Sequence, residues 1–209
     1  MSQASSLVRG KFLTLEGVDG AGKSTHVQFI ADFVASKGHH AVMTREPGGT
    51  ELAERLREAI LGQRMDATVE TLLIFAGRAD HVARVIRPAL EAGSWVICDR
   101  FSDATAAYQG AGNGVPAKTI ESLGAIAHPG LAPDRTLIFD CPYEIAAKRL
   151  AASGKKLDRF EREDRAFFER VRGTYLARAK AEPARMRVID ATLPVPEIRK
   201  MLERNLSDL

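Results

Sequence analysis

The sequence predicts a three-layer α/β fold around a central parallel sheet of about five strands. Short apolar runs of four to six residues recur between longer helical stretches. Few of these runs alternate apolar with polar residues, which is the pattern of strands covered on both faces. The first run passes through a glycine-rich turn straight into a helix.

Residues 12–16 form the first run, and a helix is expected over 23–37. A second run covers 41–44, after which Pro47, Gly48 and Gly49 interrupt regular structure. Helix follows over 51–61, with acidic residues early, as the helix dipole favours. A longer helix is predicted over 68–92, capped by Asp66 or Thr68 and kinked by Pro88. Strands are expected at 95–99, 135–140 and 187–190. Helices are expected at 117–127, 143–152, 164–181 and 197–205. Asp140 precedes Cys141 and Pro142, a position suited to capping the next helix. The chain reads as a single domain over 1–209, with a short basic lid at about 150–165.

The 209 residues carry 30 Lys and Arg against 27 Asp and Glu, a net charge of +3, too small to suggest a nucleic-acid partner. No apolar run is long enough to suggest a membrane span. Residues 1–10 lack the long apolar region of a secretory signal. Two cysteines, Cys98 and Cys141, make no disulfide framework, and the five His show no metal spacing. A cytoplasmic, reduced protein is expected.

Gly17-Val18-Asp19-Gly20-Ala21-Gly22-Lys23-Ser24 fits G-x-x-x-x-G-K-[ST] at every fixed position. Its glycines let backbone N–H groups curl around a phosphate, and the helix that follows turns its positive end toward it. Lys23 would reach the β- and γ-phosphates, and the Ser24 hydroxyl would take Mg²⁺. Residues 17–25 are therefore the candidate ATP site, Thr25 included. A small-molecule kinase, a GTPase switch and a mechanical ATPase all use such a loop. The chain has no guanine-reading Asn-Lys-x-Asp and is short for a motor, so a kinase leads.

A kinase holds its acceptor opposite the γ-phosphate and needs positive charge where negative charge develops. Arg100 follows a strand end, where ligands bind in open α/β sheets. Phe75 and Arg78 share a helix face, and an aromatic with an Arg suits a planar base. Asp99 is a candidate outer-shell Mg²⁺ acid.

Residues 17–25, 44–50 (Thr-Arg-Glu-Pro-Gly-Gly-Thr), 75–78 (Phe-Ala-Gly-Arg), Asp99-Arg100-Phe101 through Ala107-Tyr108-Gln109-Gly110, and Leu157-Asp158-Arg159 occur in an order that resembles bacterial thymidylate kinases. The resemblance runs from about residue 11 to 190. It implies a nucleoside-monophosphate-kinase-like P-loop fold, transfer of the ATP γ-phosphate to dTMP to give dTDP, Mg²⁺, and a homodimer through helix 68–92. It places Arg100 on the acceptor phosphate, Phe75 on the thymine face and Arg78 on the base. Thr105, Tyr108, Gln109 and Pro47 would line the acceptor pocket, with a cis bond before Pro47. Asp19 would meet the deoxyribose 3′-OH and stay near the metal. Many relatives carry the stacking aromatic four residues before the Arg, where this chain has Ile74; Phe75 is the expectation here. The P-loop holds no Arg, as in the enterobacterial type, so Arg159 is the expected catalytic lid residue, backed by Lys155, Lys156 and Arg149. Two other readings stand beside this one: a kinase for another nucleoside monophosphate, and a P-loop switch that hydrolyses slowly.

Overall fold

The computed structural model describes residues 9–154, 158–161 and 163–209, so Lys155, Lys156 and Leu157 lie outside the described residues. In chain order the elements are β1 (Phe12–Glu16), α1 (Ser24–Ser36), β2 (Ala41–Arg45), α2 (Glu51–Gly62), α3 (Ala67–His81), α4 (Arg87–Glu91) and β3 (Trp95–Asp99). Then come α5 (Ser102–Thr105), α6 (Ala117–Ala127), β4 (Arg135–Asp140), α7 (Tyr143–Ala152), α8 (Arg165–Ala181), β5 (Met186–Asp190) and α9 (Val195–Leu206).

The five strands form one parallel sheet in the order β2-β3-β1-β4-β5. Central β1 pairs with β3 from Phe12↔Val96 to Leu15↔Asp99, and with β4 from Leu13↔Arg135 to Glu16↔Ile138. Alternate residues along each strand face opposite sides. Leu13, Leu15, Ile97, Leu137 and Phe139 therefore join one core with Ile30 and Val34 of α1 and Val171 and Tyr175 of α8. Phe12, Val96 and Cys98 join the other, with Val82, Ile86, Leu90 and Phe101. Each such side chain contributes about 1.5–3 kcal/mol by leaving water. Edge strands β2 and β5 have one poorly covered side, and Met43 and Val188 are exposed there.

Helix 68–92 is continuous but changes its hydrogen-bond register. Asp66 caps α3 through Thr68 N at 2.8 Å. Residues Val82–Ile86 then form a π-helical turn in which the Arg87 amide reaches back to Val82 O. Pro88, which has no N–H, falls in the first turn of α4, where that lack costs little.

Helical residues 102–112 were not predicted from sequence. Helix α5 runs into a second π-helical turn, Ala106–Gly112. Two glycines disfavour helix there, so tertiary contacts hold it. Glu16, at the end of β1, accepts the Phe101 amide at 2.8 Å and the Ala104 amide at 3.3 Å, and the Tyr175 hydroxyl donates to it at 2.7 Å. Buried Asp103 takes Arg178 Nε at 2.9 Å and Arg185 Nη1 at 2.8 Å. Asp140 does not cap α7, whose N-cap Pro142 offers no side-chain bond. It accepts a two-pronged bond from Arg172 of α8 at 2.6 and 2.9 Å, a stronger arrangement than one cap bond.

Removing Asp103 would leave two guanidinium groups facing a buried gap. Asp103→Ala is expected to lower the unfolding free energy by about 3 kcal/mol, against about 1 kcal/mol for the exposed cap in Asp66→Ala; urea unfolding compares the two. Burial, then the Asp103 charge, push the Glu16 carboxyl up from 4.5 to about 7. The folded state thus favours its protonated form. That stability is fully present below the ordinary carboxyl range and is lost as pH rises through about 7. Glu16→Gln is expected to flatten the stability profile between these two values, as read by urea unfolding across pH.

Candidate active site

The loop from β1 to α1 opens at the carboxyl end of the sheet. Gly17 and Gly20 have φ of 129° and 80°, which only glycine takes readily. A Cβ on Gly17 would stand 2.3 Å from Phe139 O, and one on Gly20 2.5 Å from Ala146 O. The loop is thus pressed onto β4 and α7 by its own backbone. Buried Lys23 donates to Gly17 O at 3.1 Å and Val18 O at 3.3 Å. Its ammonium is pulled below its usual pKa by burial and by Arg100, against Asp99, Asp19 and Glu16.

A cavity of about 660 Å³ lies over this loop, lined by residues 19–26 together with Arg45, Asp99, Arg149, Ala191 and Leu193 among others. Ser24 and Thr25 are exposed to it. Arg149 of α7 donates to Ala21 O at 3.3 Å and to Ala191 O at 2.8 Å. It is the described lid-side cation set against the loop.

A second cleft lies beside the first, between α2, α3 and the 102–112 helix. Its wall includes Pro47, Ile74, Arg78, Phe101, Thr105, Tyr108 and Gln109. Asp19, Glu46, Arg57, Arg100 and Asp158 line both cavities. The Glu46-Pro47 bond is cis.

Arg100 has φ 71°, an uncommon conformation for a side-chain-bearing residue and a strained one. Its Nη1 donates to Gly17 O at 2.8 Å and to Tyr175 OH at 3.2 Å. Its Nη2 donates to Asp19 Oδ1 at 2.5 Å and to Tyr108 OH at 3.0 Å. Tyr108 OH in turn donates to Asp19 Oδ2 at 2.8 Å. Burial would raise the Asp19 pKa, but Arg100 and Lys23 outweigh it and hold the carboxyl below its usual value.

Arg78 is buried between the rings of Phe75 and Phe101, its guanidinium 4.8 and 4.9 Å from their centroids. Its Nε donates to Glu46 Oε2 at 2.7 Å and its Nη2 to Thr105 Oγ1 at 2.9 Å. Burial would raise the Glu46 pKa, but Arg78 and His81 overcome that and keep it low.

Two expected residues sit elsewhere. Phe75 is buried with Val115, Ile120 and Ala127, behind Arg78 rather than on the wall of the second cleft. The side chain at that wall is Ile74, one residue earlier and so about 100° around the helix. Arg159 does not face the phosphate loop. It donates to Ile60 O at 2.5 Å and to Glu70 Oε2, on the second cleft's side. The Glu70 carboxylate, buried on α3 beside the neutral amides of Gln109 and Asn113, draws the guanidinium there.

The sequence reading missed Glu16, Glu46, Arg57, Glu70 and Phe101. Glu70 carried a signal: with Ile74, Arg78 and His81 it follows an i, i+4, i+8, i+11 stripe on one helix face. Arg57 carried none beyond its place on α2.

Residues 15–202 match the family model described as thymidylate kinase. A thymidylate kinase of Methylobacillus flagellatus is 53% identical over 193 residues, 92% of this chain and 95% of the relative. One of Cupriavidus necator is 52% identical over 204 residues, 97% of this chain and all of the relative. The crystal structure of thymidylate kinase from Ehrlichia chaffeensis superposes with a TM-score of 0.77 at 32% identity, covering 95% of this chain and 99% of the other. The strand order, the phosphate loop and the paired cavities are accordingly those of a member of the thymidylate kinase family, to which this chain belongs.

Proposed function

We propose that the protein transfers the γ-phosphoryl group of ATP to dTMP, giving dTDP. The observation that carries this reading is the common wall of the two cavities, where Arg57 and Arg100 stand between the phosphate loop and the second cleft. A phosphoryl group passing from one nucleotide to the other crosses that wall. Two guanidinium groups there offset the charge it carries, in a site already positioned for it.

In this reading residues 17–25 cradle the ATP phosphates and Lys23 leaves its carbonyl partners for the β- and γ-oxygens. Arg100 and Arg57 clamp the dTMP phosphate. Pro47, Ile74, Phe101, Thr105 and Tyr108 shape the nucleoside pocket, and Arg78 and Gln109 read the base. Asp19 orients Arg100 and meets the deoxyribose. Phe75 supports Arg78 from behind. Residues 150–165 serve as a lid on a single domain, with Arg149 on the donor side and Arg159 over the acceptor.

Mg²⁺ fits the site. Asp99 Oδ1 is buried without a hydrogen-bond partner among the described residues, at the end of β3 beside the loop cavity. Ser24 and Asp99 would hold the ion, and both Asp19 oxygens are already engaged by Arg100 and Tyr108. Among the described residues no cluster of three ligating side chains exists, which suits a cation that keeps waters and substrate phosphates as ligands. When bound, the ion neutralises phosphate charge.

A homodimer through α3 is supported by Val69 and Leu72, apolar and about half exposed on that helix. A cytoplasmic location is supported by the free, buried thiols of Cys98 and Cys141. No described helix is long and apolar enough to cross a membrane.

The test is ADP release from MgATP with dTMP, dUMP, dCMP, dGMP or AMP added singly. A rate strong with dTMP, weaker with dUMP and near background otherwise is expected; a rate indifferent to every monophosphate removes the kinase reading. The two lid arginines separate by kinetics. Arg149→Ala is expected to lower kcat by about 10- to 100-fold, while Arg159→Ala chiefly raises the dTMP KM. A larger kcat loss in Arg159→Ala would return the phosphoryl group to that residue.

A further inference from the structure

Glu70 takes no direct part in lining the second cleft, yet three N–H donors converge on its buried carboxylate. Gln109 Nε2 reaches Oε1 at 2.7 Å, Asn113 Nδ2 reaches the same oxygen at 3.2 Å, and Arg159 Nη2 meets Oε2. An ionised carboxylate accepts and cannot donate. Of the two ends of the Gln109 amide, only the nitrogen can therefore face Glu70. The carbonyl oxygen accepts no hydrogen bond from any described residue, and Gln109 stands in the cleft wall. Arg78, in the same wall, has a buried Nη1 without a partner among the described residues. The wall thus offers one fixed acceptor beside the Arg78 cation.

We propose that Glu70 sets base selectivity by holding the Gln109 amide with its carbonyl, not its nitrogen, toward the acceptor cleft. This deepens the reading of the protein as a dTMP kinase and rests on it. The matching ligand class is a pyrimidine whose ring N–H adjoins a carbonyl, as in thymine and uracil. A 4-aminopyrimidine presents the reverse, a ring lone pair beside an amine. It turns a lone pair toward the Gln109 carbonyl and an amine toward the Arg78 cation, which costs more than a lost contact. Glu70 is a positioning residue here, since it acts through Gln109.

Glu70→Gln tests this with nearly unchanged volume. Arg159 has only donors, so it draws the new carbonyl oxygen to itself and turns the new amide nitrogen toward Gln109. Gln109 then turns over and shows the cleft a donor. With saturating MgATP, the kcat/KM ratio of dTMP over dCMP is expected to fall at least about tenfold. The dTMP KM should rise while its kcat stays within about threefold. In a Gln109→Ala background the same substitution should leave the ratio unmoved, which a merely structural role for Glu70 would not produce. A ratio unchanged in E70Q, or changed equally with and without Gln109, overturns the proposal. If E70Q fails to fold, Glu70→Asp withdraws the carboxylate by one methylene. A smaller fall in the ratio is then expected, and no fall overturns the proposal. A wild-type protein inactive toward dTMP would instead remove the functional reading beneath it.

Discussion

Arg100 places a permanent positive charge where four parts of the chain converge: the end of β3, the phosphate loop, the 102–112 helix and α8. Such a charge is costly to bury unless its donors are all met and an opposite charge is at hand. Here Gly17 O, Tyr175 OH, Asp19 and Tyr108 OH meet it, and the strained φ of 71° aims it. Burial works against its charge, but Asp19 and its other partners hold its pKa well above the usual value. Placing Arg100 therefore places the loop, the tyrosines and Asp19 as well. Glu16 serves this arrangement from below, because it fixes the Phe101 and Ala104 amides and the Tyr175 hydroxyl that borders Arg100.

The other buried charges follow the same pattern. Glu46 joins Arg78 to His81, and His81 Nε2 meets Thr44 Oγ1 at 2.7 Å, so β2, the Pro47 turn and α3 are locked together. Asp103 joins Arg178 and Arg185 and ties the 102–112 helix to the far end of the sheet. These pairs add little net stability over apolar packing, but each demands one geometry. The apolar cores on both sides of the sheet supply the stability, and the charged clusters decide where the site's side chains point.

The sheet was legible because a parallel strand must be apolar on both faces. The runs at 12–16, 95–99 and 135–140 match β1, β3 and β4. The phosphate loop was legible because glycine alone tolerates its backbone. The 102–112 helix was not, since Glu16, distant in sequence, supplies the acceptor that starts it. The facing of Phe75 was not, because residues 74 and 75 differ by a fraction of a helical turn and apolar content does not say which meets the cleft. Arg159 was assigned to the phosphates by the resemblance and by the lack of an Arg in the P-loop. Its actual neighbour, Glu70, lies 89 positions away. Local pattern fixed the frame, and long-range charge pairing chose the orientations.

The shared wall of the two cavities has a thermodynamic consequence. Asp19, Glu46, Arg57, Arg100 and Asp158 belong to both, so no ligand can occupy one without changing the electrostatic surroundings of the other. Phosphates on one side compete for Arg57 and Arg100 and also shift the balance between those cations and their carboxylate neighbours. The free energies of occupying the two sides are linked for that reason. Whatever factor one nucleotide imposes on the affinity of the second, the second must impose equally on the first.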